Sequence, residues 1–116
     1  MPRRLGAGCD RGSVAAELAL ALPAVVLTIL LGAGALSAAA RQVSLQDAAA
    51  DAARILGRGE GAGAAAGAVT AAVPGAGVAS RDDGGLVCVT ASVDVAIGSV
   101  LVLPMRASSC ALSGGL

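Results

Sequence analysis

Few side chains in this sequence could do chemistry, and they are widely spaced. A lone carboxylate, Glu17, stands immediately before a run from Leu18 to Ala40 that carries no charge over 23 positions. A Gly12-Ser13 junction lies one helical turn ahead of it. A carboxylate at the mouth of an apolar segment is costly to bury unless it is paired or reaches back to water. Two readings of Glu17 follow: a charge awaiting a specific partner, or an anion placed near a helix N-terminus where the dipole favours it. Two thiols, Cys88 and Cys110, come after the apolar run and so share one side of it, whereas Cys9 precedes it. Joined, the downstream pair would close a separation of 22 residues. Such a bridge is worth about 3 kcal/mol. Unjoined, the two would act as small buried hydrophobes.

The rest of the inventory argues against catalysis. The chain has no His, Lys, Phe, Tyr or Trp. Without His it lacks the commonest acid–base group and metal ligand, and without Lys it lacks Schiff-base and P-loop chemistry. No Ser, Thr or Asp has an activating neighbour, so no catalytic, cofactor-binding or metal-binding residue is assigned. A formal net charge of zero, with no basic stripe and no stacking side chain, gives no basis for nucleic-acid binding.

The elements that must position these groups begin with the apolar run. At about 1.5 Å per helical residue, Leu18–Ala40 spans roughly 34 Å, enough to cross a hydrocarbon core of about 30 Å. Pro23, Thr28 and Ser37 interrupt its apolar character, and Pro23 removes a backbone donor within it. Before it stand Arg3, Arg4 and Arg11; beyond it the nearest cations are Arg41 and Arg54. That bias puts the N-terminus in the cytoplasm and residues 41–116 outside. An exterior location is oxidising and favours a Cys88–Cys110 bridge, with Cys9 a reduced thiol on the other side. Leu5-Gly6-Ala7-Gly8-Cys9 has the look of a lipidation site, but no apolar segment precedes its Cys.

The helical pattern continues past the run. Leu45, Ala49, Ala52 and Leu56 recur on one helix face, flanked by Asp47 and Asp51. This narrow face is expected either to lie in solvent or to pack on a neighbouring copy or partner helix, with Gly57 and Gly59 supplying the stop. One helix from about Ser13 to Leu56 would be on the order of 65 Å long. Residues 60–75 read as an Ala/Gly-rich linker or short helix, ended by Pro74-Gly75. Val78–Ser80 suggests a short strand, and Asp82-Asp83-Gly84-Gly85 a hairpin turn. Leu86–Val95 alternates: Val87, Val89, Ala91, Val93 and Val95 fall on one face, Cys88, Thr90, Ser92 and Asp94 on the other. Val100–Leu103 is a further apolar run that Pro104 should break, leaving Met105–Leu112 as a last strand.

Gly12-Ser13-Val14-Ala15-Ala16-Glu17 before an apolar helix resembles the processing site of type IV pilin-like precursors. More closely, Arg11 through Pro23, then Asp47-Ala48-Ala49-Ala50-Asp51-Ala52-Ala53-Arg54 and Gly57-Arg58-Gly59-Glu60, resembles the TadE-like pseudopilins of tight-adherence (Flp-type) pilus systems. The resemblance covers about residues 10–60. It implies a twelve-residue leader removed by a membrane aspartyl prepilin peptidase after Gly12, so that Ser13 becomes the first and Glu17 the fifth mature residue. It also implies an assembly role for Glu17. The amine freed on Ser13 would stand one turn from that carboxylate, on the same or an adjacent subunit.

The expected architecture is α+β: a long N-terminal transmembrane helix extended outside the membrane, then a small β-rich C-terminal domain with a disulfide. The divisions are 1–12 cytoplasmic leader, 13–59 helix (membrane-spanning 18–40), 60–75 linker or short helix, and 76–116 exterior domain. The expected function is that of a minor structural or assembly subunit of a tight-adherence pilus or related secretion apparatus. Its partners would be the lipid bilayer, prepilin peptidase, other pilin-like subunits and the assembly platform, with no cofactor. Two rivals stand beside it. One is a small secreted binding protein released by signal peptidase after Ala40, where Ala38-Ala39-Ala40 fits a small-residue cleavage site. Against it, the apolar run exceeds the usual length of about 7–15 residues. The other is an unprocessed single-pass membrane protein.

Overall fold

The computed structural model describes residues 2–97 and 99–114, with side chains from Gly12 onward except that of Ile97. The element order is α1 (Pro2–Gly57), α2 (Ala62–Ala72), β1 (Gly77–Asp83), β2 (Leu86–Ile97) and β3 (Leu101–Leu112). The architecture is the expected α+β, with a long apolar N-terminal helix followed by an antiparallel sheet in the order β1-β2-β3. Two compact units divide between Ser37 and Ala38.

The first unit is helix alone. The helix expected from Ser13 extends back to Pro2, so backbone helicity does not mark the Gly12-Ser13 junction. The apolar side chains of the run stand open, with Leu20 at 79% and Leu31 at 73% exposure. Pro23 lies within the helix and leaves the Ala19 carbonyl without its usual donor. The Thr28 hydroxyl donates to the Ala24 carbonyl at 2.8 Å, which satisfies a polar group in an otherwise apolar stretch.

The second unit folds the rest of α1 and α2 onto one face of the sheet. Leu45, Ala48, Ala49, Ala52 and Ala53 of α1, Ala65 and Val69 of α2, Ala76 just before β1, Val89 and Ala91 of β2 and Ala107 of β3 form its buried cluster. The face predicted at Leu45, Ala49 and Ala52 is therefore buried, but inside its own chain, with the sheet and α2, instead of in solvent or against a neighbouring copy or partner helix. Leu56 sits at the margin of that cluster. Among the described residues the largest fully buried side chains are Leu45, Val69 and Val89. A core built mostly of alanine lets helix and sheet approach closely, but it buries little apolar area.

Helix α1 stops in a Schellman arrangement. The Glu60 amide donates to the Ile55 carbonyl at 3.1 Å and the Gly59 amide to Leu56 at 2.9 Å, with Gly59 at φ 78°. Arg58 Nε pairs with Glu60 Oε1 at 2.8 Å across this cap. The segment 62–72 is helical despite Gly63 and Gly67, because Ala65 and Val69 bury one face of it.

The first hairpin turns at Gly84-Gly85, one residue later than the Asp-Gly step, with Asp83 paired to Leu86. Both glycines have positive φ, 58° and 93°, as a tight two-residue hairpin turn requires. β1 runs well past the short Val78–Ser80 expected. β3 corrects a second expectation, since Pro104 does not break it: the strand runs unbroken from Leu101 to Leu112, with Pro104 opposite Asp94. Cys88 and Cys110 face each other with Cα atoms 4.0 Å apart, the close spacing of a non-hydrogen-bonded pair. Even-numbered β3 residues in the same register, Pro104 included, therefore turn their backbone groups away from β2. A proline there costs no ladder bond.

Candidate functional site

The predicted processing and assembly residues are all on α1. Gly12, Ser13 and Glu17 lie in continuous helix and are exposed, and a Cβ on Gly12 would meet nothing within 4 Å. Ser13 and Glu17 are four residues apart, so they occupy the same helical face one turn from each other. Among the described residues no ion pair involves Glu17; the two present are Arg54–Asp51 at 3.1 Å and Arg58–Glu60 at 2.8 Å. The carboxylate thus stands at the head of an exposed apolar helix with its charge open to an external partner. Gly12 weakens helix at the junction by about 1 kcal/mol relative to alanine. That lowers the cost of opening the backbone there.

The second predicted site is formed. Cys88 and Cys110 are joined by a disulfide on the sheet face opposite the helices. Cys88 is buried and Cys110 exposed, beside Thr90 and Ser108, whose hydroxyls lie 3.4 Å apart. Directly across the strands Arg81 pairs with Cys88. The bridge clamps β2 to β3, the two longest strands. Cys9 has its side chain outside the described residues.

A third feature has no counterpart in the sequence reading. Gln42 Nε2 donates to the Arg106 carbonyl at 2.8 Å, and Gln46 Nε2 to the Ser108 carbonyl at 3.0 Å. These are outward-turned carbonyls of β3, so this part of α1 caps an edge that would otherwise be open to another strand. The only sequence signal for it is a pair of glutamines at i and i+4. Further along, the Gly114 amide donates to the Gly57 carbonyl at 2.9 Å. Helix and strand therefore run in the same direction, from Gln42 beside Arg106 to Gly57 beside Leu112. Among the described residues there is no cluster of His, Cys, Asp or Glu suited to a metal.

Among the described residues one helix is long and apolar enough to cross a membrane, and it is followed in the chain by a small disulfide-bonded α+β unit. Residues 12–54 match the family model described as TadE-like protein. That family is one of pilus-associated structural components. The match begins at Gly12 and ends at Arg54, so it takes in the junction, Glu17, the apolar run and the part of α1 that packs on the sheet. No curated protein and no solved structure gives a significant match.

Proposed function

We propose that the chain is a minor structural or assembly subunit of a tight-adherence pilus or related secretion apparatus, cut by a prepilin peptidase between Gly12 and Ser13. The observation that carries this reading is the placement of Glu17. It is exposed and without an ion pair among the described residues, one turn past Ser13, immediately before the uncharged run 18–40 that a TadE-like match covers. Cleavage after Gly12 would leave a positive amine on Ser13, the natural counter-charge for that carboxylate on the same or an adjacent subunit. Between subunits the pair would set axial register, because only one stacking offset brings opposite charges together at the membrane edge. The arginines of the leader favour a cytoplasmic N-terminus and an exterior C-terminal unit. A disulfide between Cys88 and Cys110 suits that oxidising side. The partners are then the bilayer, the peptidase, other pilin-like subunits and the assembly platform.

N-terminal sequencing of the membrane-fraction protein, expressed with and without a prepilin peptidase, tests this. The expected outcome is a chain starting at Ser13 only when the peptidase is present. A start at Arg41 would establish the secreted rival, and an intact Met1 in both preparations would leave an unprocessed membrane anchor.

A further inference from the structure

The β2–β3 hairpin outgrows the sheet it belongs to. β1 pairs with β2 only from Leu86 to Ser92, whereas β3 follows β2 as far as Ile97. The pairs from Val93↔Met105 to Ile97↔Leu101 therefore project past β1 by about 17 Å. The end of this projection is apolar and open: Val100 is 88% exposed, Val102 63%, Leu101 60% and Leu103 42%. Leu101 and Leu103 lie on the face that α1 and α2 cover lower down, and Val102 on the opposite face. The tip is therefore apolar on both faces, and the sequence from Val95 to Leu103 carries no charge.

Its position within the unit is fixed by the glutamine contacts. Because β3 runs alongside α1 in the same direction, its first residues lie at the Ala38 end of the unit. That is the end from which the chain continues into the uncharged run. At that end Arg41 and Ser44 of α1 line a cavity of about 160 Å³ with Val73, Pro74, Val93 and Val95. Arg41 is exposed and makes no ion pair among the described residues. Acyl chains surround both faces of a hairpin, and an arginine set behind an apolar edge suits the phosphate layer above them.

We infer that the tip, Val100–Leu103, is a second membrane contact that dips into the outer leaflet of the bilayer α1 crosses, with Arg41 at headgroup level. Insertion of this kind reaches about 5–10 Å below the headgroups. The inference rests on the reading of α1 as membrane-spanning. It adds a function for the hairpin: a subunit held by one helix can spin and tilt, and a second contact fixes the face it presents to its assembly partners.

The absence of tryptophan makes the test direct, since one introduced Trp is the sole emitter. The full chain is reconstituted in phosphatidylethanolamine–phosphatidylglycerol vesicles, with or without brominated acyl chains, as three variants. Leu27→Trp reports the span, Val102→Trp the tip, and Ala79→Trp an exposed mid-sheet position about 20 Å along the strands from the tip. Expected are blue-shifted emission and loss of intensity on bromination for Leu27→Trp and Val102→Trp, with neither for Ala79→Trp. Quenching at Leu27→Trp without quenching at Val102→Trp overturns the inference and leaves the spanning helix intact. Blue-shifted but unquenched emission at Val102→Trp that depends on protein density overturns it in favour of contact with a second copy. No quenching at Leu27→Trp removes the spanning helix and the tip contact together.

Discussion

Gly57 and the carbonyl of Leu112 approach so closely that a Cβ on Gly57 would lie 2.7 Å from that oxygen. The last residue of α1 is thus fitted to the last residue of β3, and the Gly114 amide closes the contact by donating to Gly57 at 2.9 Å. Alanine at this position would gain up to about 1 kcal/mol of helix propensity. It would also press a methyl into backbone that cannot swing aside. Overpacking of this kind costs about 1–3 kcal/mol, so Gly57→Ala is expected to destabilise the C-terminal unit on balance. Hydrogen exchange of the β3 amides in the full chain would report it as lost protection, with the apolar run of α1 unchanged. An unchanged or increased protection would mean that β3 slides to accommodate the methyl and that the fit is not specific.

The disulfide should matter more here than in a domain with a larger core. Its hydrophobic cluster is mainly alanine, with only a few larger side chains fully buried. Replacing both Cys88 and Cys110 by alanine is expected to cost about 2–4 kcal/mol, felt first as faster exchange along β2 and β3. In the unreduced wild-type chain that still carries residues 1–12, alkylation followed by mass mapping should label Cys9 and spare the other two. Labelling at both Cys88 and Cys110 would place the unit in a reducing compartment and reverse the assigned orientation.

What can be read from the sequence follows from local rules. The uncharged run, the alternation of Val87–Val95, the Leu45–Ala49–Ala52 stripe and the small-domain cysteine pair each declare themselves by composition or period. What cannot be read depends on contacts between distant residues. The stripe is visible as a contact face, but its partners are the chain's own α2 and sheet, further along the sequence, and nothing in the helix says so. Pro104 reads as a strand breaker because its tolerance depends on lying at an outward-turned position of an edge strand, which only the Cys88↔Cys110 register reveals. The edge itself is capped by Gln42 and Gln46, polar side chains that helical periodicity treats as solvent-facing. The Gly12, Ser13 and Glu17 site is legible as a motif, but the cleavage and pairing proposed for it would involve a peptidase and neighbouring subunits, which a single chain does not contain.

Glu17 offers the sharpest test of the assembly mechanism. Its side chain is exposed at the head of the apolar run, so removing the charge lowers the cost of burial in lipid, and membrane residence should not suffer. Glu17→Ala is therefore expected to insert and to be cut between Gly12 and Ser13 nearly as well as the wild type. What it loses is the charge that makes one stacking offset preferable to its neighbours, while the Ser13 amine of the adjoining subunit is left unpaired. Cross-linking to other pilus subunits should fall sharply for Glu17→Ala. Glu17→Asp should be intermediate, since it keeps the charge on a shorter side chain. A purely local role, an anion beside a helix N-terminus, predicts a different pattern. The dipole interaction is worth only about 0.3–1 kcal/mol and acts within one chain. Its loss would leave cross-linking at the wild-type level in a normally processed protein, and that result would rule out pairing between subunits.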